Sequence, residues 1–135
     1  MAASVLVDAG FLVALFSRRD RHHDWAAALA ARRPPPWHTC EAALSEAFHL
    51  LGARGGPVLS ELLRRRALIV AFNLDEQVDA VTRLMEKYAD VPATLADAEL
   101  VRMTETLDDV VLLTTDSDFR RYRRHGRQVV PIETP

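Results

Sequence analysis

The sequence holds one cysteine, Cys40, and one lysine, Lys87, among 135 residues. A lone cysteine excludes an internal disulfide framework and suits a reducing compartment, so a cytoplasmic location is expected. No apolar run approaches the ~18 residues of a membrane span. No basic segment precedes Val5-Leu6-Val7, so no secretory leader is expected. Repeats and low-complexity linkers are missing. Pro34-Pro35-Pro36 is a short rigid connector inside what reads as one domain over residues 1–135. Gly52-Ala53-Arg54-Gly55-Gly56 lacks the lysine and hydroxyl of a P-loop and reads as a helix end and turn.

What is plentiful is arginine. It makes up all of the 17 basic residues except Lys87, and it clusters at Arg18 to Arg21, Arg32-Arg33, Arg64 to Arg66 and Arg120 to Arg124. Net charge is −2, which does not by itself suggest a nucleic-acid binder. Setting aside Asp8, Glu46, Asp97, Asp116 and Asp118 leaves 17 − 14 = +3, a mildly basic body around an acidic spot. Each arginine cluster taken alone reads either as a solvated helix face or as a phosphate contact.

Hydrophobic patterning predicts short buried strands at Ser4–Asp8, Trp37–Thr39, Leu68–Phe72, Val110–Thr114 and Gln128–Ile132. Helices are predicted over 10–17, 22–33, 41–53, 57–66, 75–88, 95–107 and 119–124. This alternation implies an α/β fold with a mainly parallel central sheet flanked by helices on both faces. Such sheets bind ligands beyond the carboxyl ends of strands, where strand order switches. Asp8 and Asp116 both sit at such ends.

Glu46 lies beside the apolar stripe of its helix, and Asp97 lies in the first turn of another. Alone, each acid has a local explanation: Asp97 favours the helix dipole, Asp8 caps a turn, and Asp116 with Asp118 forms a turn and N-cap. Together they need a counter-charge. Two carboxylates ~4 Å apart repel by roughly 4 kcal/mol at an effective dielectric near 20. Magnesium or manganese, which take oxygen ligands, would supply it and could activate water against a phosphoryl group. The arginines would then hold neighbouring phosphates.

Four segments carry a resemblance. Ser4-Val-Leu-Val-Asp-Ala-Gly-Phe-Leu-Val-Ala-Leu15, Leu44-Ser-Glu-Ala47, Tyr88-Ala-Asp-Val-Pro-Ala-Thr-Leu-Ala-Asp-Ala98 and Leu113-Thr-Thr-Asp-Ser-Asp-Phe119 resemble, in order, the four motifs of the PIN domain. The chain as a whole resembles a VapC-like toxin. The resemblance implies a Mg2+- or Mn2+-dependent endoribonuclease with Asp8, Glu46, Asp97 and Asp116 as its acidic cluster. Asp8 and Asp97 would be the principal metal ligands. Glu46 and Asp116 would bind a second ion and orient the attacking water. Thr114 would donate a hydrogen bond to a carboxylate or to substrate, and Asp118 would be an optional fifth acid. A homodimer and a cognate antitoxin that blocks the groove are also implied.

Other classes make different demands on these residues. A non-catalytic RNA-binding or protein-interaction module would use the arginines without chemistry. A phosphoacceptor domain would want adjacent acids after the first strand and a lysine after the last, and a haloacid-type phosphatase a second acid where Gly10 stands. Glu46-x-x-His49 lacks the second copy a di-iron bundle needs. His22 and His23 read as solvated, Cys40 as an inert buried thiol, and Trp25, Trp37, Leu112, Phe119 and Tyr122 as core. Leu29, Trp25, Phe48 and Leu51 fit a core or a dimer face equally well.

Overall fold

A computed structural model describes residues 3–135. In chain order the elements are β1 (Ser4–Val7), α1 (Ala9–Phe16), α2 (His23–Arg32), β2 (Trp37–Thr39), α3 (Glu41–Arg64), β3 (Leu68–Val70), α4 (Val78–Lys87), α5 (Leu95–Thr106), β4 (Val110–Leu113), β5 (Arg123–Arg124), β6 (Gln128–Val129) and β7 (Ile132–Glu133). Single 3-10 turns at Leu74–Glu76 and Ser117–Arg120 precede α4 and β5.

β1, β2, β3, β4 and β7 form a five-stranded sheet, order β3-β2-β1-β4-β7, in which every neighbouring pair is parallel. The period-2 alternation of strand side chains shows why both faces are covered. Val5 and Val7 of β1 join Val111 and Leu113 of β4 in one cluster, packed by Phe11, Leu12, Leu29, Leu44 and Leu59 of α1, α2 and α3. Leu6 and Leu112 face the other way, onto Leu100, Val101 and Met103 of α5 and onto Phe119, Tyr122 and Val130. Trp37 and Trp25 pack edge-on against Phe11, with ring centroids 5.5 and 6.1 Å away. Phe48 and Leu51 are partly buried against the same cluster.

The chain winds outward from β1 through β2 to β3, then returns to place β4 on the other side of β1. The switch point is therefore the crevice between the carboxyl ends of β1 and β4. Thr39 reinforces this edge by donating its hydroxyl hydrogen bond to the Val7 carbonyl at 2.8 Å.

Several boundaries depart from the sequence-based expectation, each for a local reason. The two helices expected over 41–53 and 57–66 run together as α3, broken at Gly52, whose φ of 64° is in the left-handed region glycine tolerates. The expected strand over 128–132 is divided at Pro131, which has no N–H to continue a ladder. β6 pairs antiparallel with β5, and only β7 enters the main sheet. The helix expected over 119–124 is a single 3-10 turn followed by β5. The helix expected from residue 75 begins at Val78, after a turn in which the Asn73 side chain accepts from the Asp75 N–H at 3.0 Å. His23 is half-buried rather than free in solvent, its Nδ1 lying 2.8 Å from the Ala14 carbonyl in the last turn of α1.

Candidate active site

Asp8 follows β1 directly and is the N-cap of α1. Its extended backbone turns the carboxylate back over the helix, and Oδ1 accepts from the Phe11 N–H at 2.8 Å. The parallel register sets Val7 beside Leu113, so the next residues of the two strands meet. There the buried Thr114 hydroxyl donates to Oδ2 of Asp8. The same hydroxyl oxygen accepts from the Asp116 N–H at 2.9 Å, and Asp116 Oδ1 accepts from the Asp118 N–H at 2.9 Å. Gly10 lets α1 approach this loop: a Cβ there would collide with Thr115 Oγ1.

Asp97 is delivered from the other side by α5. Thr94 caps that helix, its Oγ1 accepting from the Asp97 N–H at 3.1 Å, while Asp97 Oδ2 accepts from the Thr94 N–H at 3.4 Å. Tyr122 donates its hydroxyl hydrogen bond to the same Oδ2 at 3.0 Å. Glu46 is exposed and reaches the rim from α3. Asp8, Glu46, Asp97 and Asp116 thus line one cavity of about 250 Å³ with Gly10, Thr94 and Thr115. Asp118 is half-buried beside it and does not line it.

The carboxylates load one another. Burial pushes the Asp8 carboxyl up to about 7; the hydrogen bonds from Thr114 and Phe11 oppose that rise, and the charges of Asp116 and Asp97 add to it. Asp97 is raised as well, first by burial, against the hydrogen bonds from Tyr122 and Thr94 and with Asp116 pushing the same way. Burial and the Asp97 charge raise the Tyr122 hydroxyl, which therefore stays a proton donor.

This donor set is hard oxygen carrying uncompensated negative charge, which fits a hard divalent cation. Among the described residues no group of three or more His, Cys, Asp or Glu side chains is arranged to hold a metal ion. Magnesium commonly binds through one or two carboxylates and keeps several waters. Asp8 and Asp97 are two carboxylates lining one cavity.

A larger cavity, about 710 Å³, is lined by α3 and α5 residues Glu41, Ser45, Leu95 and Glu99 together with Phe72 and Asp75, and by none of the four acids. The smaller crevice is the one that lies at the strand switch point and gathers acids from four segments. Cys40 is buried and its thiol is pushed up to about 12 by that burial, so it has no nucleophilic use.

The arginine-rich stretch after Asp118 divides by role. Arg123 Nη1 donates to the Arg120 and Tyr122 carbonyls at 2.7 and 3.0 Å. Arg124 Nη2 donates to the Thr104 carbonyl and, at 3.0 Å, to the Leu107 carbonyl at the end of α5. Arg120 and Arg121 remain exposed, with no carboxylate partner among the described residues.

Tyr122 is the site neighbour that sequence reasoning places only in the core. Its ring is indeed core, and nothing in the linear sequence announces a hydroxyl aimed 25 positions back. Thr94 carries a clearer signal, since Thr-x-x-Asp before an apolar run is a capping-box signature.

A model of the PIN domain matches residues 5–125. The chain belongs to the PIN domain family. PIN domains are generally metal-dependent nucleases that typically use divalent ions. A five-stranded parallel sheet flanked by helices agrees with that fold. No curated protein matches this PIN domain, and no helix of the described residues is long and apolar enough to cross a membrane.

Proposed function

We propose that this PIN domain is a Mg2+- or Mn2+-dependent endoribonuclease and the VapC-like toxin of a type II toxin–antitoxin pair, working in the cytoplasm as a homodimer under a cognate antitoxin. The observation that carries the catalytic reading is the convergence of Asp8, Glu46, Asp97 and Asp116 on one cavity at the switch point. The order and spacing of the four motifs support the toxin assignment.

Asp8 and Asp97 are assigned as the residues that hold the ion. A bound divalent ion supplies Lewis acidity at the scissile phosphate. The chain supplies the rest. The Phe11 N–H and the Thr114 hydroxyl fix Asp8 so that no reorientation is needed during the reaction. Glu46, on the solvent side, and Asp116, next to Thr114, orient the attacking water, and a carboxylate oxygen of either accepts its proton. Arg120 and Arg121 hold flanking phosphates and leave the acids to the reacting one. Asp118 fixes the direction of Asp116 through its backbone N–H.

Cleavage of varied RNAs with magnesium or manganese, with and without EDTA, tests this reading. Cleavage should require the metal, and Asp8→Asn and Asp97→Asn should each lower it by ~100-fold or more. Intact RNA under all metal conditions ends the enzyme assignment. A second reading, a non-catalytic RNA-binding or protein-interaction module, draws on the lack of a three-donor ion cage among the described residues and on the exposed arginines. It requires salt-sensitive binding that survives loss of the acids.

A further inference from the structure

We propose that Tyr122 is a positioning residue for Asp97, its hydroxyl tying down one carboxylate oxygen so that the other is presented to the cavity. The inference rests on Asp97 being an ion-holding residue. Asp97 Oδ2 takes both available donors, the Tyr122 hydroxyl at 3.0 Å and the more distant Thr94 N–H at 3.4 Å. Oδ1 has no hydrogen-bond donor among the described residues. An aspartate on a helix can otherwise rotate about its side-chain torsions. The Thr94 bond alone is long, so the phenol is the better constraint.

The phenol is itself closely packed. Tyr122 is buried, its ring lying edge-on to Phe119 at 5.3 Å and to Tyr88 at 5.0 Å. On one side the backbone is pinned by the Arg123 N–H, which donates to the Tyr88 hydroxyl at 2.9 Å. Beyond it, Arg124 is pinned by the carbonyls that close α5. The segment following the fourth acid thus meets the first turn of α5 through Tyr122 and its C-terminal end through Arg124. Rigid partners of this kind orient carboxylate ligands and hold metal affinity.

The test is calorimetric titration of Mn2+ into the whole chain, for wild type, Tyr122→Phe and Thr106→Val, beside thermal melts of each without metal. Tyr122→Phe keeps the ring and its packing and removes only the donor. Its Mn2+ dissociation constant should rise ~10- to 100-fold, with a metal-free melting temperature close to wild type. Thr106→Val removes a hydroxyl, bonded only to the Met103 carbonyl, from the far end of the same helix without touching Asp97 or Tyr122, and its Mn2+ affinity should stay at the wild-type value. Equal affinity in Tyr122→Phe and wild type overturns the proposal. An equal loss in both variants also overturns it, because general loosening of α5 then explains the effect. Wild type that takes up no Mn2+ removes the metal reading itself, a result distinct from either.

Discussion

The Thr114 hydroxyl donates to Asp8 Oδ2 and so joins the ends of two parallel strands whose residues are 106 positions apart. It also accepts from the Asp116 N–H at 2.9 Å, so one small side chain sets the relation between two of the four acids. Thr114→Val keeps the shape and removes both functions. It should destabilise the protein by ~1–3 kcal/mol in chemical denaturation, because a buried acceptor loses its donor. Thr114→Ser should recover most of that stability. A Val variant as stable as wild type would show that Asp8 does not depend on this donor.

Asp8 also predicts the pH dependence of stability. Its folded value, about 7, lies above its ordinary 3.8. Between those values the folded state binds more protons than the unfolded state, so stability falls as pH rises from about 4 through about 7 and levels off above. The decrease is on the order of 4 kcal/mol as an upper bound. Asp8→Asn retains a good N-cap and removes the titration. Metal-free melts should therefore show Asp8→Asn more stable than wild type at pH 8 and little different at pH 4. Added Mn2+ should raise the wild-type melting temperature more at pH 8 than at pH 5.

The arginines separate by what already holds them. Arg64 and Arg65 pair with Glu61 at 3.2 and 2.8 Å, whereas Arg120 and Arg121 have no carboxylate partner among the described residues. Combined Arg120→Ala and Arg121→Ala should weaken RNA binding across sequences and reduce the salt slope by about 1 for each phosphate that an arginine no longer neutralises. Arg64→Ala with Arg65→Ala should leave both unchanged. Fluorescence anisotropy over a salt series reads the difference.

Arg124 is a structural arginine within a basic run that otherwise suits phosphate binding. Its guanidinium meets the Thr104 and Leu107 carbonyls where α5 ends and unpaired acceptors concentrate. Arg124→Met should cost ~1–3 kcal/mol in unfolding free energy. Its effect on the salt dependence of RNA binding should be negligible, which separates it from Arg120.

Much of this was legible in the sequence because it depends on local pattern. Val5-Leu6-Val7 and Val110 to Leu113 read as buried strands because both sheet faces are covered, and Asp8 and Asp116 follow them at the ends where such sheets bind ligands. Glu46 and Asp97 were locatable by helix position, and they do reach the same cavity. What failed had no local pattern. A two-residue strand such as β5 or β7 is too short for alternation to show. The carbonyl partners of Arg123 and Arg124 leave no mark in the sequence, where both look like any basic run. Tyr122 carries an apolar ring and a polar tip, and periodicity registers only the ring.

The outermost strands of the sheet, β3 and β7, are three and two residues long. Neither offers a ribbon of unpaired amides long enough for a neighbour's backbone to extend the sheet. Amyloid-like stacking and domain exchange through those margins are disfavoured. The apolar side chains turned to solvent lie elsewhere: Leu50, 57% exposed, and Val58, 40% exposed, on α3, and Val129, 64% exposed, on β6.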